Sequence, residues 1–310
     1  MLDIFLQTLP FFLIIGLGYG AGRTGFFSEE ATAWLTKFVF YFALSAMLFR
    51  FSANLSMSEV LEWRFVMAYL WGTAFVYGLA TFVALLRRVS IEEAAIEAQC
   101  AVIGNVGFLG VPMLVLLMGE AAIGPVMMVL AVDLIIFGSL VVILITGSRD
   151  GRMSIGILRS VGLGLIRNPM IVSIVLGLTW SALNLPLPKP VNQFVSILGG
   201  AATPGALFAI GASLASKSAE RPFVAGWLSF CKLVLHPAFV AFSALILFPV
   251  APYSAAVMIA AAALPVAGNV FMLASHYGVA PQRVSASILI STSLAIISVS
   301  LIIGWVSGLY

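Results

Sequence analysis

Three residues that can carry charge lie inside strongly apolar stretches of the 310-residue chain. Asp133 lies in a run near residues 122–146, and Lys232 and His236 lie four residues apart in a run near 222–248. If these runs cross a bilayer, a charge at its centre costs at least about 2.5–3.5 kcal/mol, so such residues usually serve an ion or a substrate. Asp133 is the best candidate to carry a proton or a sodium ion. The alternative for all three is structural, with each group satisfied by partners in the protein core.

A second chemical signal is a pair of interruptions within apolar stretches. Residues 103–113 read IGNVGFLGVPM, and residues 263–269 read ALPVAGN. Proline removes a helical hydrogen bond and glycine permits non-helical backbone, so both motifs predict broken helices. The N-terminus of each half-helix attracts anions, and an asparagine amide can add a directed donor. These motifs predict a carboxylate site, for which the candidate residues are Gly104, Asn105, Gly107, Pro112, Pro265, Gly268 and Asn269. The alternative is that the two prolines only kink their helices.

A third motif, GAATPG at residues 200–205, is rich in small residues that let helices approach closely. Pro204 predicts a kink here, and Thr203 is a further candidate for the wall of the carboxylate site. Close helix packing alone is the alternative interpretation of this motif.

The elements that position these residues are predicted to be membrane-spanning helices. Hydrophobic residues make up 62% of the chain and charged residues 9%, whereas soluble proteins have about 45–50% and about 25%. This composition excludes a large soluble domain, and Cys100 and Cys231 are expected to be buried free thiols within spans. Apolar runs long enough to cross the bilayer recur throughout. We place ten of them, near residues 2–22, 29–52, 60–86, 93–117, 122–146, 167–184, 190–216, 222–248, 252–276 and 282–306. The longest polar piece, residues 147–167, is predicted to be a hinge or linker.

Basic residues predict the orientation of these spans, because cytoplasmic loops retain Lys and Arg. Ten basic residues fall in loops on the predicted cytoplasmic side: Arg23, Arg87, Arg88, Arg149, Arg152, Arg159, Arg167, Lys217, Arg221 and Arg283. The loops on the opposite side carry only Arg50, Arg64 and Lys189. Both termini should therefore face away from the cytoplasm. The net charge of +3 reflects this asymmetry and indicates no nucleic-acid partner.

The chain also contains a weak internal repeat. An offset of 159 residues aligns Pro10 with Pro169 and Leu17-Gly18 with Leu176-Gly177, and further matches follow through both halves. The offset predicts two five-helix repeats, residues 1–151 and 160–310. Because five is odd, the second repeat must insert upside down, which is the inverted-repeat architecture of many secondary transporters. The 159-residue offset also aligns the interrupted fourth span with the interrupted ninth span.

Other functional classes lack their motifs in this sequence. We find no phosphate-binding loop, zinc-protease motif, C-x-x-C pair or G-x-S-x-G motif, so we predict no ATP-driven pump and no cofactor. Four classes stay open from the residues: an organic-anion carrier, an ion-coupled symporter or cation antiporter that uses Asp133, an intramembrane enzyme, and a channel or sensor.

Four segments, GNVGFLGVP, ALPVAGNVF, FVFYFALSAMLF and AATPGALFAIGASLA, resemble the auxin efflux carrier family of bacterial and plant transporters. The resemblance covers essentially the whole chain. It implies an all-α membrane protein of ten helices in inverted five-helix repeats, similar to bile-acid sodium symporters and sodium/proton antiporters, with the fourth and ninth helices crossing at the substrate site. It also implies elevator-type transport, in which Asn105 and Pro112 face a substrate carboxylate and Pro265 is the second crossover proline.

Two departures from the family pattern refine this expectation. Ser45 stands where the family usually has a proline in the second span, which puts the kink there in doubt. The long central loop of the plant carriers is replaced by about twenty residues, as in bacterial members associated with malate, malonate and other small carboxylates. We therefore expect a carrier of a small organic anion in a bacterial inner membrane, with a proton or sodium ion as a possible second ligand and a homodimer as a possible assembly.

Overall fold

The computed structural model describes residues 2–55, 62–150, 155–216 and 222–309. These residues form helices and connecting turns, with one isolated β-bridge. The helices are α1 (Leu2–Arg23), α2 (Glu29–Ala53), α3 (Trp63–Leu86), α4 (Ile91–Val102), α5 (Val106–Met118), α6 (Glu120–Arg149), α7 (Ile155–Arg167), α8 (Pro169–Ala182), α9 (Lys189–Ala215), α10 (Pro222–Leu247), α11 (Pro252–Ala262), α12 (Gly268–Tyr277) and α13 (Pro281–Val306).

Many of these helices are long and apolar enough to cross a membrane. Within the described ranges, seven helices meet this condition singly, namely α1, α2, α3, α6, α9, α10 and α13. Helices α7 and α8 meet it together, although they are bent by 72° relative to each other. The pieces on either side of the two predicted interruptions are shorter. The chain is therefore a multi-pass helical membrane protein, as its composition predicts.

The polar piece over residues 147–167, predicted to be a hinge or linker, is helical where the structure describes it. Helix α6 continues through Arg149, and α7 makes residues 155–167 helical up to a bend at Asn168. The Asn168 Oδ1 accepts a hydrogen bond from the Met170 backbone amide at 3.0 Å, and Pro169 occupies the first turn of α8, where a residue needs no amide donor. Residues 155–167 are thus a helix followed by a capped bend. The basic residues Arg152, Lys217 and Arg221 and the repeat boundary at 151 lie outside the described residues.

Packing divides the helices into two groups. In the first group, α1 packs on α9, and α2 packs on both α8 and α9. In the second group, α3 packs on α4 and α10, while α13 packs on α10, α11 and α12. The groups also meet directly where α1 touches α13, since the Thr8 and Ser300 hydroxyls are hydrogen-bonded at 2.9 Å in a buried contact. The broken helices α4/α5 and α11/α12 belong to the second group.

Glycines allow very close packing in the first group. A Cβ atom added at Gly18 of α1 would lie 2.1 Å from the Phe208 carbonyl oxygen of α9. One added at Gly177 of α8 would lie 2.7 Å from the Phe49 carbonyl oxygen of α2. Gly18 therefore lets two backbones meet without an intervening side chain, and Gly177 lets α8 lie directly against the Phe49 carbonyl and the Ser52 Cβ of α2. The 159-residue offset that relates Gly18 to Gly177 also relates Phe49 to Phe208.

We expect Gly18→Ala to lower the melting temperature of the purified protein in detergent. The added methyl group collides with a backbone carbonyl, and overpacking of this kind costs about 1–3 kcal/mol. Gly16→Ala is the matched control in the same helix, because nothing lies within 4 Å of its Cβ position. Melting temperatures that fall equally, or not at all, in the two variants would contradict the close approach of α1 and α9.

Candidate functional site

The chain leaves helical geometry within both predicted interruptions, and the two breaks lie against each other. Helix α4 ends before residues 103–105, and α11 ends before residues 263–267. The Asn105 backbone amide donates a hydrogen bond to the Pro265 carbonyl at 2.8 Å, and the Ala267 backbone amide donates to the Ile103 carbonyl at 3.0 Å. We call residues 103–105 and 263–267 together the crossing. The hydrogen bonds between these backbone groups offset part of the free-energy cost of breaking two helices in an apolar interior.

The two prolines of the motifs have different structural roles. Pro265 lies in the break itself, as predicted. Pro112 instead lies in the helical part of α5, directly after a π-helical turn over Val106–Gly110. The wider turn accommodates a residue that has no amide donor. The prediction that Pro112 helps to break the helix is therefore wrong, and the non-helical residues of that break are Ile103, Gly104 and Asn105.

One asparagine lies at the start of each second half-helix. Asn105 directly precedes α5 and is only 5% exposed, and Asn269 is in the first turn of α12. The side-chain oxygens of both are buried and have no hydrogen-bond partner among the described residues. The first amide groups of a helix also lack acceptors within the helix. Each half-helix thus begins with a partial positive charge, which suits an anion, and with an asparagine whose NH₂ group can donate to that anion.

A cavity of about 680 Å³ lies on the Asn269 side of the crossing. Its walls are α2 and α8 of the first group, α4 and α12 of the second, and the helices α6 and α7. Asp133 and Gln99 line it near Asn269, and Arg167 and His276 line it at the ends of α7 and α12. The cavity therefore contains groups that attract an anion together with one carboxyl group.

Asp133 is buried in this cavity and is held by a tyrosine. The Tyr69 hydroxyl donates to Asp133 Oδ1 at 2.8 Å, while Oδ2 is buried without a partner among the described residues. No lysine or arginine within the described ranges lies within 4 Å of the Asp133 carboxyl group. Within the described residues, the structural alternative weighed from the sequence therefore holds for one oxygen of Asp133, which Tyr69 satisfies, and not for the other.

A second cavity, of about 450 Å³, lies on the Asn105 side of the crossing. Its walls are α2 and α9 of the first group and α5, α12 and α13 of the second. Asn105, Gly268 and Thr292 line it at the crossing, and Lys37 lines it on α2. Met272 lines both cavities, so the two spaces adjoin at α12. Both cavities lie between the two helix groups.

Lys232 and His236 lie behind the crossing, in neither cavity. Both side chains are fully buried on α10, and Lys232 Nζ lies 3.1 Å from His236 Nδ1. Lys232 Nζ also donates to the carbonyl of Ala262, the last residue of α11. The i,i+4 spacing correctly predicted that these two side chains share a face.

The other predicted site residues lie around the crossing or away from it. Gly104 forms the β-bridge with Val266, and Gly107 is buried beneath Met170. Ser45, Thr203 and Pro204 do not line either cavity in the described part of the chain. The Ser45 hydroxyl donates to the Phe40 carbonyl at 3.1 Å, directly after a π-helical turn over Val39–Ala43. The second span is thus distorted without the family proline.

Three polar residues of the site were missed from the sequence. Tyr69 is hydrogen-bonded to Asp133, and Thr73 is hydrogen-bonded to His236. The Gln99 side chain donates to the Phe137 carbonyl at 2.6 Å, and both Gln99 and Asp133 line the first cavity. The sequence signal that could have identified these three residues is that each is a polar side chain within an otherwise apolar span. Glu97, in the middle of α4, pairs with Arg87 and Arg283 and lines neither cavity in the described part of the chain.

We expect Ser291→Ala to destabilise the crossing. The Ser291 hydroxyl accepts a hydrogen bond from the Val266 amide at 3.1 Å, and an unpaired buried amide costs about 1–3 kcal/mol. The melting temperature should fall clearly in Ser291→Ala and little in Ser293→Ala, whose hydroxyl is exposed on the same helix. Identical melting curves for the two variants would show that this bond does not support the break.

The fold is that of a multi-pass membrane protein with two cavities at paired helix breaks. Residues 3–303 match a family model described as "Membrane transport protein", and the chain belongs to this family, the auxin efflux carrier family. A protein of Rhizobium meliloti (strain 1021) named "Putative malonate transporter" is 30% identical over 306 residues, which cover 97% of this chain and 95% of that protein. These similarities identify the chain as a transporter and not an enzyme.

Proposed function

We propose that the protein is a secondary transporter that moves a small organic anion, with malonate or malate as the preferred class, across the cell membrane by alternating access. The observation that carries this proposal is the meeting of two broken helices, each with a buried asparagine at the start of its second half whose oxygen has no partner among the described residues. Amide orientation is an assignment, so either the oxygen or the NH₂ group of each asparagine can face a ligand. With the NH₂ groups turned towards the cavities, both asparagines would donate hydrogen bonds to an anion at the crossing.

A dicarboxylate fits the twofold character of the site. Two half-helix N-termini and two asparagines face adjoining cavities, so each carboxylate has one helix N-terminus and one amide available. The name of the relative from Rhizobium meliloti supports malonate as the first compound to test. Both carboxylates of malonate are ionised at neutral pH, which matches donors that carry partial positive charge.

We further propose that the architecture is ten helices in two inverted repeats. The contacts of Gly18 with Phe208 and of Gly177 with Phe49 support this, because one 159-residue offset exchanges both members of each contact. Such an exchange is expected when α1 and α2 of one repeat pack against α9 and α8 of the other. The broken pairs α4/α5 and α11/α12 would then be the fourth and ninth spans.

The two helix groups provide the moving parts of an elevator mechanism. The first group would form the scaffold, and the second, which contains the crossing, would slide against it and carry the anion. Both cavities lie along this boundary and reach helix ends that adjoin the basic loops, at Arg167 and Tyr277 in one case and at Glu29 and Ser216 in the other. We infer an inward-open state in a bacterial inner membrane, with both termini outside.

A second candidate function is ion-coupled transport, and Asp133 is the observation that favours it. One oxygen of this carboxyl group is buried, without a partner in the described part of the chain, in the cavity that also contains Asn269. A charged Asp133 would repel an incoming carboxylate, and binding of a proton or a sodium ion would remove that repulsion. The ion would then travel with the substrate.

We expect Asn105→Ala and Asn269→Ala each to reduce uptake of radiolabelled malonate into proteoliposomes at least tenfold, because each removes an amide from the anion site. Asn192→Ala, on the exposed part of α9, should transport like the unaltered protein. Uptake in the unaltered protein should saturate with malonate concentration. Saturable uptake that is equal in all four proteins would contradict the crossing as the site, and flux that never saturates would contradict a carrier.

For the coupled mechanism, we expect Asp133→Asn to transport malonate at a rate that no longer responds to an imposed proton or sodium gradient. Asparagine is isosteric with a protonated aspartate and can still accept the hydrogen bond from Tyr69. Parallel measurements with each gradient alone identify the ion. An undiminished response to the gradient in Asp133→Asn would exclude this residue as the ion carrier.

A further inference from the structure

A lysine side chain of the first helix group lines the second cavity. Lys37 lies on α2 eight residues after the helix begins at Glu29, which places it about 12 Å along the helix axis. It is the only basic residue among the described residues that line this cavity, and Asn105 lines the same cavity from the second group. A positive charge and one of the two candidate anion-binding asparagines thus share one space.

An aromatic pair between the two helix groups fixes where Lys37 lies relative to Asn105. The rings of Phe40 on α2 and Phe108 on α5 are stacked, with their centroids 6.3 Å apart and an angle of 20° between their planes. Lys37 precedes Phe40 by three residues, and Asn105 precedes Phe108 by three residues. Both residues are therefore close to one contact between the groups, with Lys37 on the side nearer to the cavity mouth at Glu29.

The ammonium group of Lys37 has an aromatic partner and no anionic one in the described part of the chain. Lys37 Nζ lies 4.3 Å from the centroid of the Trp34 ring, one turn earlier on α2. Among the described residues, no carboxylate lies within 4 Å of this nitrogen. A cation is held only weakly by an aromatic ring at an exposed site, and both residues are exposed. The ammonium group is thus available to a stronger, anionic partner.

We propose that Lys37 is a recognition group for the transported anion on its path between Asn105 and the cytoplasm. Its ammonium group rests on Trp34 while the cavity is empty and pairs with a carboxylate that enters or leaves. This rests on the proposed transport function and orientation, and it adds the residue that selects for negative charge on the cytoplasmic side. Lys37 belongs to the first group and Asn105 to the second, so the proposed movement of the second group would carry the anion away from Lys37.

Substitutions that change the charge at residue 37 test this proposal. In inverted membrane vesicles, which expose the cytoplasmic face, we expect Lys37→Gln to lower the Vmax/KM of malonate uptake about fivefold, the upper range for an ion pair that water reaches. Lys37→Arg should keep most of the uptake. Lys189→Gln removes an exposed charge at the start of α9 and should transport like the unaltered protein. Added salt should narrow the difference between the unaltered protein and Lys37→Gln.

A cysteine at the same position allows the charge to be restored chemically. Cys100 and Cys231 are both buried, so Lys37→Cys supplies the accessible thiol. Treatment with 2-aminoethyl methanethiosulfonate attaches an ammonium group and should restore uptake, whereas 2-sulfonatoethyl methanethiosulfonate attaches a sulfonate and should lower uptake further. Malonate should slow both reactions. The sulfonate reagent does not cross membranes, so it should act on inverted vesicles and not on intact cells.

Equal Vmax/KM values for the unaltered protein, Lys37→Gln and Lys37→Arg would overturn the proposal, and Lys37 would then only extend from its helix towards water. Equal responses of Lys37→Cys to the two reagents, or reaction with the sulfonate reagent in intact cells, would also overturn it.

Absence of saturable malonate uptake by the unaltered protein would instead contradict the proposed substrate. Melting temperatures with mono- and dicarboxylates, sulfonates and phosphate then decide the role of Lys37. An anion that stabilises the unaltered protein should stabilise Lys37→Arg equally and Lys37→Gln less. Equal stabilisation of all three proteins, or stabilisation by no anion, would overturn the proposal.

Discussion

Backbone groups that leave helical geometry inside an apolar protein must find other partners, and the rest of this structure depends on that constraint. Each unpaired amide or carbonyl in such an environment costs several kcal/mol. Here the two breaks satisfy each other through the bonds of Asn105 to Pro265 and of Ala267 to Ile103, and Ser291 and Lys232 supply further partners. The groups left over are those that face the cavities, and they are suited to an anion.

In the proposed elevator mechanism, the two helix groups would move against each other and expose this site without breaking its hydrogen bonds. Glycine contacts such as Gly18 with Phe208 pack the first group tightly through its backbones. The crossing lies wholly in the second group, where Tyr69, Asp133, His236 and Lys232 connect α3, α6 and α10 behind it. A rigid second group that moves against a rigid first group would carry the anion site with its hydrogen bonds intact.

Composition and motif spacing predicted the membrane class, most helices and both helix breaks, because hydrophobic length and backbone-breaking residues act locally. They did not predict that Pro112 lies within a helix, since the π-helical turn before it depends on packing of α5 against its neighbours. The helical nature of residues 155–167 was hidden by their polar residues. Contacts such as Tyr69 with Asp133 and Lys232 with Ala262 join residues far apart in the chain, so no local pattern encodes them.

The central claim is that a dicarboxylate binds at the crossing of the two broken helices. A crystal structure with bromomalonate tests it most directly, because anomalous scattering locates the bromine independently of the protein atoms. We predict one dominant bromine peak beside the crossing, with the two carboxylates within hydrogen-bond distance of the Asn105 and Asn269 amides. A dominant peak away from these residues, or none at a concentration that saturates transport, would contradict the account.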